Sequence, residues 1–403
     1  MFSPLSHDDL KKAAAAFGTP LYVYHAEKIT AQYQQLKSAF DNANARFFYA
    51  AKALTNINIL RHIQSIGCSV DCSSINEAKL ALKAGFAPMD ILYTSNNIAF
   101  TEIEEAVSLG ISINIDSLSN LEKFGARYGH SYPVGVRLRP NIMAGGNLKI
   151  STGHTRSKFG IPVEQLDTLL ELVQRHHIHV RALHIHTGSE IKEVSVFIQG
   201  VRLLLDLATK FSELDVIDLG GGFKVPYQPG EEGTNIQELG QEITKVFADY
   251  ATSNGRHLQV WFEPGKYLVS EAGFFITTVT VLKQFGDLHF AGVNSGLNHL
   301  IRPMFYDAYH HIENISNPHG ELTTYQVVGN ICETDNFAVD RPLPLIREGD
   351  LLAFYNAGAY GFEMASQYNS RYRPAEVLFH EGKMDLIRRR EVFEDLLHTQ
   401  VLV

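Results

Sequence analysis

The strongest constraint on this chain is a rhythm of strand-like and helix-like runs. Between residues 46 and 270 they alternate about eight times. FFYAA leads to NINILRHIQSIG, CSVDC to SINEAKLALKAG, DILYT to IAFTEIEEAVSLG, and ISINID to LSNLEKFGARYG. PVGVRLRP, VRALHIH, VIDLGGGF and QVWFEPG continue the series with long helical patterns between them. Such alternation implies parallel strands joined by crossover helices, and eight repeats imply a closed (β/α)8 barrel. A doubly wound open sheet is the alternative. The punctuation favours the barrel, because polar or glycine-rich clusters fall at the strand ends. They are Lys52, Ser73 and Ser74, Asn96 and Asn97, Asp116, His186, Gly220 to Gly222, and Glu263. A barrel gathers its chemistry on that rim.

Beyond residue 270 the long helices stop. FFITTVTVLKQFG, DLHFAGVNSG, TTYQVVGNICE and DLLAFYNAG read as strands, and VLFH-EGK-MDLIRR as a hairpin. The tail is therefore expected to be an all-β domain. Near the start, SHDDLKKAAAAFG reads as a short amphipathic helix stopped by Gly18, and LYVYH as a strand. The opening residues lack a basic region leading into an apolar core, so no signal peptide is expected. No apolar run has the roughly 18 residues needed to span a membrane. With 403 residues the chain suits two domains. A net charge of −9 argues against nucleic acid as a partner. Three cysteines, Cys68, Cys72 and Cys332, form no disulfide framework, which fits a reducing, cytoplasmic setting.

Several short stretches carry chemistry. In FYAAKALTN, Lys52 follows a strand, as either a snorkelling surface lysine or a catalytic amine. DLGGGF places Gly220, Gly221 and Gly222 after a strand, where backbone N–H groups can face an anion. FEPGK holds Glu263 ahead of a stiff Pro–Gly turn with Gly265 and Lys266. HIHTGSE puts His184 and His186 on one strand face, where a ring can stack on a flat ligand. No third ligand lies nearby in sequence, and no metal is expected. In LIRPMFYDAYHH, Arg302 and Tyr306 are one helical turn apart, and an arginine fork suits a carboxylate. Cys332 and Glu333 lie in NICETDNF, and Tyr360 in a tyrosine- and glycine-rich loop.

Taken in order, FYAAKALTN, HIHTGSE, DLGGGF, FEPGK, LIRPMFYDAYH, CET and NAGAYGFEMASQYNSRYRPAEV resemble the diaminopimelate decarboxylases. These are pyridoxal-phosphate-dependent enzymes with an alanine-racemase-like barrel. ISTGHTRSKFGI, residues 150–161, is also similar to a stretch of that family. The resemblance implies an N-terminal segment, residues 1–26, that joins the β domain. It further implies a pyridoxal-phosphate barrel over 27–270 and a C-terminal β domain over 271–403. Lys52 would hold pyridoxal 5′-phosphate through its amine and His186 would stack on the ring. Gly220, Gly221, Gly222 and Gly265 would receive the phosphate, and Glu263 would pair with the ring nitrogen. Arg302 and Tyr306 would meet the far end of an amino acid substrate. Cys332 would be the proton donor, Glu333 a substrate contact, and Tyr360 a contact to both substrate and cofactor. The family implies a homodimer whose active sites are shared between subunits. Its reaction converts meso-2,6-diaminopimelate to L-lysine and CO2.

Two departures from the family pattern stand out. The family usually has arginine at Lys266, where it touches substrate and cofactor phosphate; lysine keeps the charge and loses the fork. The family also usually has an aspartate-containing turn before IRP, where this chain reads AGVNSGLNHLIRP. Three other readings compete. One is a sibling decarboxylase acting on ornithine or a citryl-diamine conjugate. Another is a racemase, disfavoured by Glu263 because racemases usually place arginine at the ring nitrogen. The last is a non-catalytic pyridoxal-phosphate carrier, for which Cys332 would have no use.

Overall fold

The computed structural model describes residues 5–140 and 157–403; residues 150–156 of the ISTGHTRSKFGI stretch lie outside them. The chain divides into two units. One comprises 31–225 and 232–267, the other 1–30, 226–231 and 268–403.

In the first unit eight parallel strands close into a barrel. They are β2 (Ala45–Ala50), β3 (Ser69–Cys72), β4 (Ile91–Thr94), β5 (Ser112–Ile115), β6 (Val134–Arg139), β8 (Val180–His184), β9 (Val216–Asp218) and β10 (Gln259–Phe262). Each pairs in parallel with the next, and β10 returns to β2. The two-residue strand β7 (Ile161–Pro162) sits beside β6. Seven crossover helices separate the strands: Ile57–Ser65, Ile75–Ala84, Phe100–Ser108, Leu118–Tyr128, Leu166–His176, Val194–Ala208 and Ile236–Asn254. After β10 the helix shrinks to four residues, Lys266–Val269. Two of the polar rim positions belong to one helix cap, with Ser74 as the capping residue. Ser74 accepts from the Glu77 N–H at 3.2 Å, and the Ser73 N–H donates to the Glu77 carboxylate at 2.6 Å.

The strands are buried along nearly their whole length because helices cover the outside while side chains fill the bore. The filling changes with height. Toward the strand starts, Phe48, Leu92, Ala182, Val216 and Trp261 form one apolar cluster. Arg46 lies over the Phe48 ring at 4.7 Å and Arg181 over Trp261 at 5.4 Å. Toward the strand ends the bore becomes polar. Asp71, Thr94, Asn114, Arg137, His184, Asp218 and Glu263 are all buried there. Gly135 makes this possible: a Cβ at that position would overlap the Asn114 side-chain oxygen.

The second unit is a mostly β domain, and it also holds helices at its two ends and at Arg302–Tyr306. Strand β1 (Leu21–His25) joins this sheet and not the barrel. It runs antiparallel to β11 (Gly273–Phe285) and parallel to β17 (Ala375–His380). The order continues through β12 (Leu288–Val293), β14 (Leu322–Val328) and β15 (Asn336–Pro344) on one side and β18 (Lys383–Arg388) on the other. Strand β16 (Leu351–Phe354) pairs with β11 and with β13 (Ile312–Asn314). The N-terminal helix, His7–Phe17, starts at a Ser6–Asp9 capping box and packs Leu10, Ala13 and Ala14 onto this sheet. Among the described residues no helix is long and apolar enough to cross a membrane.

Candidate active site

The barrel residues singled out from sequence meet where its strands end. Lys52 lies just past β2, on a 3₁₀ turn spanning Ala51–Ala53 and not on the strand itself. The turn buries Ala51 and Ala53 and leaves Lys52 exposed. Likewise β8 stops at His184, so His186 belongs to the following loop and the two rings do not share one strand face. The glycine run follows β9. Gly220 and Gly222 have φ of +64° and +102°, a region that favours glycine. A Cβ on Gly221 would overlap the Glu263 carbonyl, and one on Gly222 the Gly188 carbonyl. The Gly221 N–H points to His186 Nδ1 at 3.3 Å, and the Glu263 N–H donates to the Gly220 carbonyl at 2.8 Å. Gly265 lies against Ala50 and Ala53, and the Ala50 N–H donates to the Pro264 carbonyl at 3.2 Å. The glycine run, the HTGSE loop and the EPGK turn thus form one bare-backbone cradle beside Lys52.

Beneath it lies a charged network. Glu263 accepts from Thr94 Oγ1 at 3.3 Å, Thr94 accepts from Asn114 Nδ2 at 3.0 Å, and Asn114 reaches Asp218 at 3.5 Å. His184 Nε2 stands 3.4 Å from Glu263. Strand register places Arg137, His184 and Asp218 side by side. Burial raises the Asp71 and Asp218 carboxyls well above their usual range, and the nearby Glu263 charge adds to this. Burial also raises Glu263, but the His184 ring, Lys52 and His186 outweigh it, and its carboxyl lies below the usual range. Burial lowers His184 itself, and lowers His186 well below the ordinary value with Lys52 contributing. Burial thus shifts Asp71 and Asp218 toward their neutral forms, while the charges around Glu263 favour its carboxylate. Sequence reading did not single out Asp71, Thr94, Asn114, Arg137 or Asp218. Their signal was a polar residue inside or at the end of a short strand: CSVDC, ILYT, SINI, VRLR and VID.

In the other unit, the Arg302 guanidinium is buried 5.3 Å above the Tyr227 ring, one turn before Tyr306 on the helix Arg302–Tyr306. Tyr360 adopts φ +55° in the loop after β16. Cys332 and Glu333 sit exposed on the loop between β14 and β15. The Cys332 N–H donates to Asn369 Oδ1 at 3.1 Å, and Tyr368 OH donates to the Glu333 carboxylate. Asp335 anchors the base of this loop, 4% exposed, with its carboxylate packed on Gly296 and Gly329.

The cradle and network fit pyridoxal phosphate. The glycines let the three loop backbones pack closer than any Cβ would allow, which leaves main chain and not side chains at the rim. Among the described residues Asp71 Oδ1 and both His184 ring nitrogens have no hydrogen-bond partner. A flat, dipolar heterocycle bearing a phosphate suits these groups, with Lys52 supplying an amine for its aldehyde.

Comparison with known proteins agrees. Residues 26–270 match the pyridoxal-binding domain of the pyridoxal-dependent decarboxylases, so the barrel and its rim are those of a pyridoxal-phosphate-dependent decarboxylase. A diaminopimelate decarboxylase of Methanothermobacter thermautotrophicus is 40% identical over 402 residues, covering 97% of this chain and 94% of that one. The enzyme of that name from Escherichia coli strain K12 is 34% identical, covering 99% and 97%. The crystal structure of diaminopimelate decarboxylase from Helicobacter pylori complexed with L-lysine superposes with a TM-score of 0.88 at 32% identity, covering 96% and 98%. The chain belongs to the diaminopimelate decarboxylase family.

The Cys332 loop carries a pH signature. Burial raises Asp335 from 3.8 to about 6, against backbone N–H groups including those of Leu297 and Ile331. The folded state therefore binds this proton more tightly than the unfolded chain. Its stabilising contribution is full below pH 3.8 and is lost as pH rises through about 6. Denaturant unfolding at pH 4 and pH 7 should show the wild type losing about 2 kcal/mol relative to Asp335→Asn across that window. Parallel pH profiles for the two proteins would contradict the assignment.

Proposed function

We propose that the chain decarboxylates meso-2,6-diaminopimelate to L-lysine and CO2, the last step of lysine biosynthesis, with pyridoxal 5′-phosphate as cofactor. The observation that carries this reading is Glu263, a buried carboxyl held below its usual range in the network that Lys52 borders. A carboxylate at that place would favour a proton on the cofactor ring nitrogen. The bound cofactor supplies an acceptor for the electrons left at the substrate α-carbon when CO2 departs. Lys52, the amine at the rim, would hold the cofactor at its aldehyde carbon. The half-buried His186 ring, whose basicity burial and Lys52 lower, would lie against the cofactor ring. Gly220, Gly221, Gly222 and Gly265 offer backbone to the phosphate.

The second unit supplies selectivity and the proton. Arg302 receives the distal carboxylate of the substrate, with Tyr306 beside it. Its guanidinium is already buried, so a substrate without that carboxylate would leave a desolvated cation unpaired. Tyr360 contacts cofactor and substrate. Cys332 gives a proton to the α-carbon, and Glu333 contacts the substrate; both act in the partner subunit's site within a homodimer. Their exposure on a braced loop supports a role directed outward from their own chain.

A substrate panel tests the reaction. The holoenzyme should release L-lysine and CO2 from meso-2,6-diaminopimelate and turn over L-ornithine, L-lysine and a citryl-diamine conjugate at least about a hundredfold less efficiently. Turnover of one of those instead, with none on meso-2,6-diaminopimelate, would replace this reading by the sibling decarboxylase. The shared site has its own test. Lys52→Ala and Cys332→Ala are each expected to be nearly inactive alone. Mixed under conditions of subunit exchange they should recover up to about a quarter of wild-type activity, because one site per mixed dimer is intact. No recovery despite demonstrated exchange would rule out sharing.

A further inference from the structure

We propose that Glu190 sets the affinity of the cradle for its phosphate by competing for Lys266. The inference rests on the pyridoxal-phosphate reading above and concerns a residue to which that reading gives no role. Lys266 closes the EPGK turn, and its ammonium is paired with the Glu190 carboxylate, 76 residues away in sequence, with Ser189 Oγ at 3.2 Å. The two side chains are only 9% and 24% exposed, so water screens the pair weakly. Glu190 sits on the loop that lies directly against the glycine run. The Ile191 N–H donates to the Gly222 carbonyl at 2.9 Å, and Gly222 leaves no room for a Cβ beside the Gly188 carbonyl. The backbone at Glu190 is itself in the left-handed region, φ +64°, which orients this carboxylate at some conformational cost.

The cation beside the cradle therefore arrives with its charge already answered. A phosphomonoester near neutral pH carries close to two negative charges. It and Glu190 draw on the same ammonium, and two anions sharing one partly buried cation repel each other. Lysine suits such an exchange: it is a point charge on a flexible stem with three donors, so it can turn from carboxylate to phosphate without a fixed fork geometry. Glu190 is thus a brake on phosphate binding, and Lys266 is the group on which it acts.

The test is cofactor affinity, read from loss of the visible cofactor band when holoenzyme is diluted. Glu190→Gln keeps the shape of the side chain and removes its charge. It should retain pyridoxal phosphate about tenfold more tightly than wild type. Enzyme reconstituted with pyridoxal, which lacks the phosphate, should show no such gain. In a Lys266→Ala background, Glu190→Gln should give no gain either. Glu190→Ala, read in the same way, serves if the glutamine variant does not fold. Unchanged or weaker retention in Glu190→Gln would make the pair a loop staple and overturn the proposal. An equal gain with pyridoxal would overturn it too, by removing the phosphate from the explanation. Failure of the wild type to take up pyridoxal phosphate would overturn the cofactor reading and this inference together.

Discussion

The buried carboxylate of Glu263 is the interaction on which the site depends. An ionised group deep in a barrel is costly unless its surroundings compensate it. Here the compensation is distributed. Thr94 donates to it, His184 lies within 3.4 Å, and the Lys52 charge acts on it from the rim. Asp71 and Asp218 lie in the same layer, and burial with the Glu263 charge raises both carboxyls well above their usual range, which lessens the repulsion among the three. One strand end thereby carries a fixed negative charge under a bare-backbone cradle, and the neighbouring strand end carries an amine. That polarity, anionic at depth and cationic at the rim, is what a protonated heterocycle with an aldehyde and a phosphate requires.

The apolar layer below makes the polar one affordable. Phe48, Leu92, Ala182, Val216 and Trp261 close the bore from the strand starts and exclude water from beneath. The strand ends can then be given over to chemistry, with the loops above them shaped by glycine and proline. In the β unit the same division of labour recurs on a smaller scale. Asp335 and the 368–371 segment hold the Cys332 loop in place, while Cys332 and Glu333 themselves stay exposed.

The barrel was legible in the sequence because each crossover helix leaves its amphipathic period between two buried strands. Lys52, the glycine run and Glu263 were legible because they punctuate strand ends. The polar layer was not. Asp71, Arg137 and Asp218 occupy strands of three to six residues, where one polar residue reads equally as facing solvent or facing the bore. Only the closed register places them together. Strand β15 was missed because NFAVDRPLP holds two prolines, which a strand tolerates only where the missing N–H faces no partner; it lies at the sheet edge. Strand β13 is three residues long and gives no period to read. Glu190 does not stand out within HTGSE, since its link to Lys266 spans 76 residues and no local pattern reveals it.

Borohydride reduction of the holoenzyme, followed by peptide mass spectrometry, tests the central claim most directly. The account predicts the mass of reduced, bound pyridoxal phosphate on the peptide containing Lys52, and on no other lysine. The label on Lys266, or on a lysine away from the barrel rim, would contradict it.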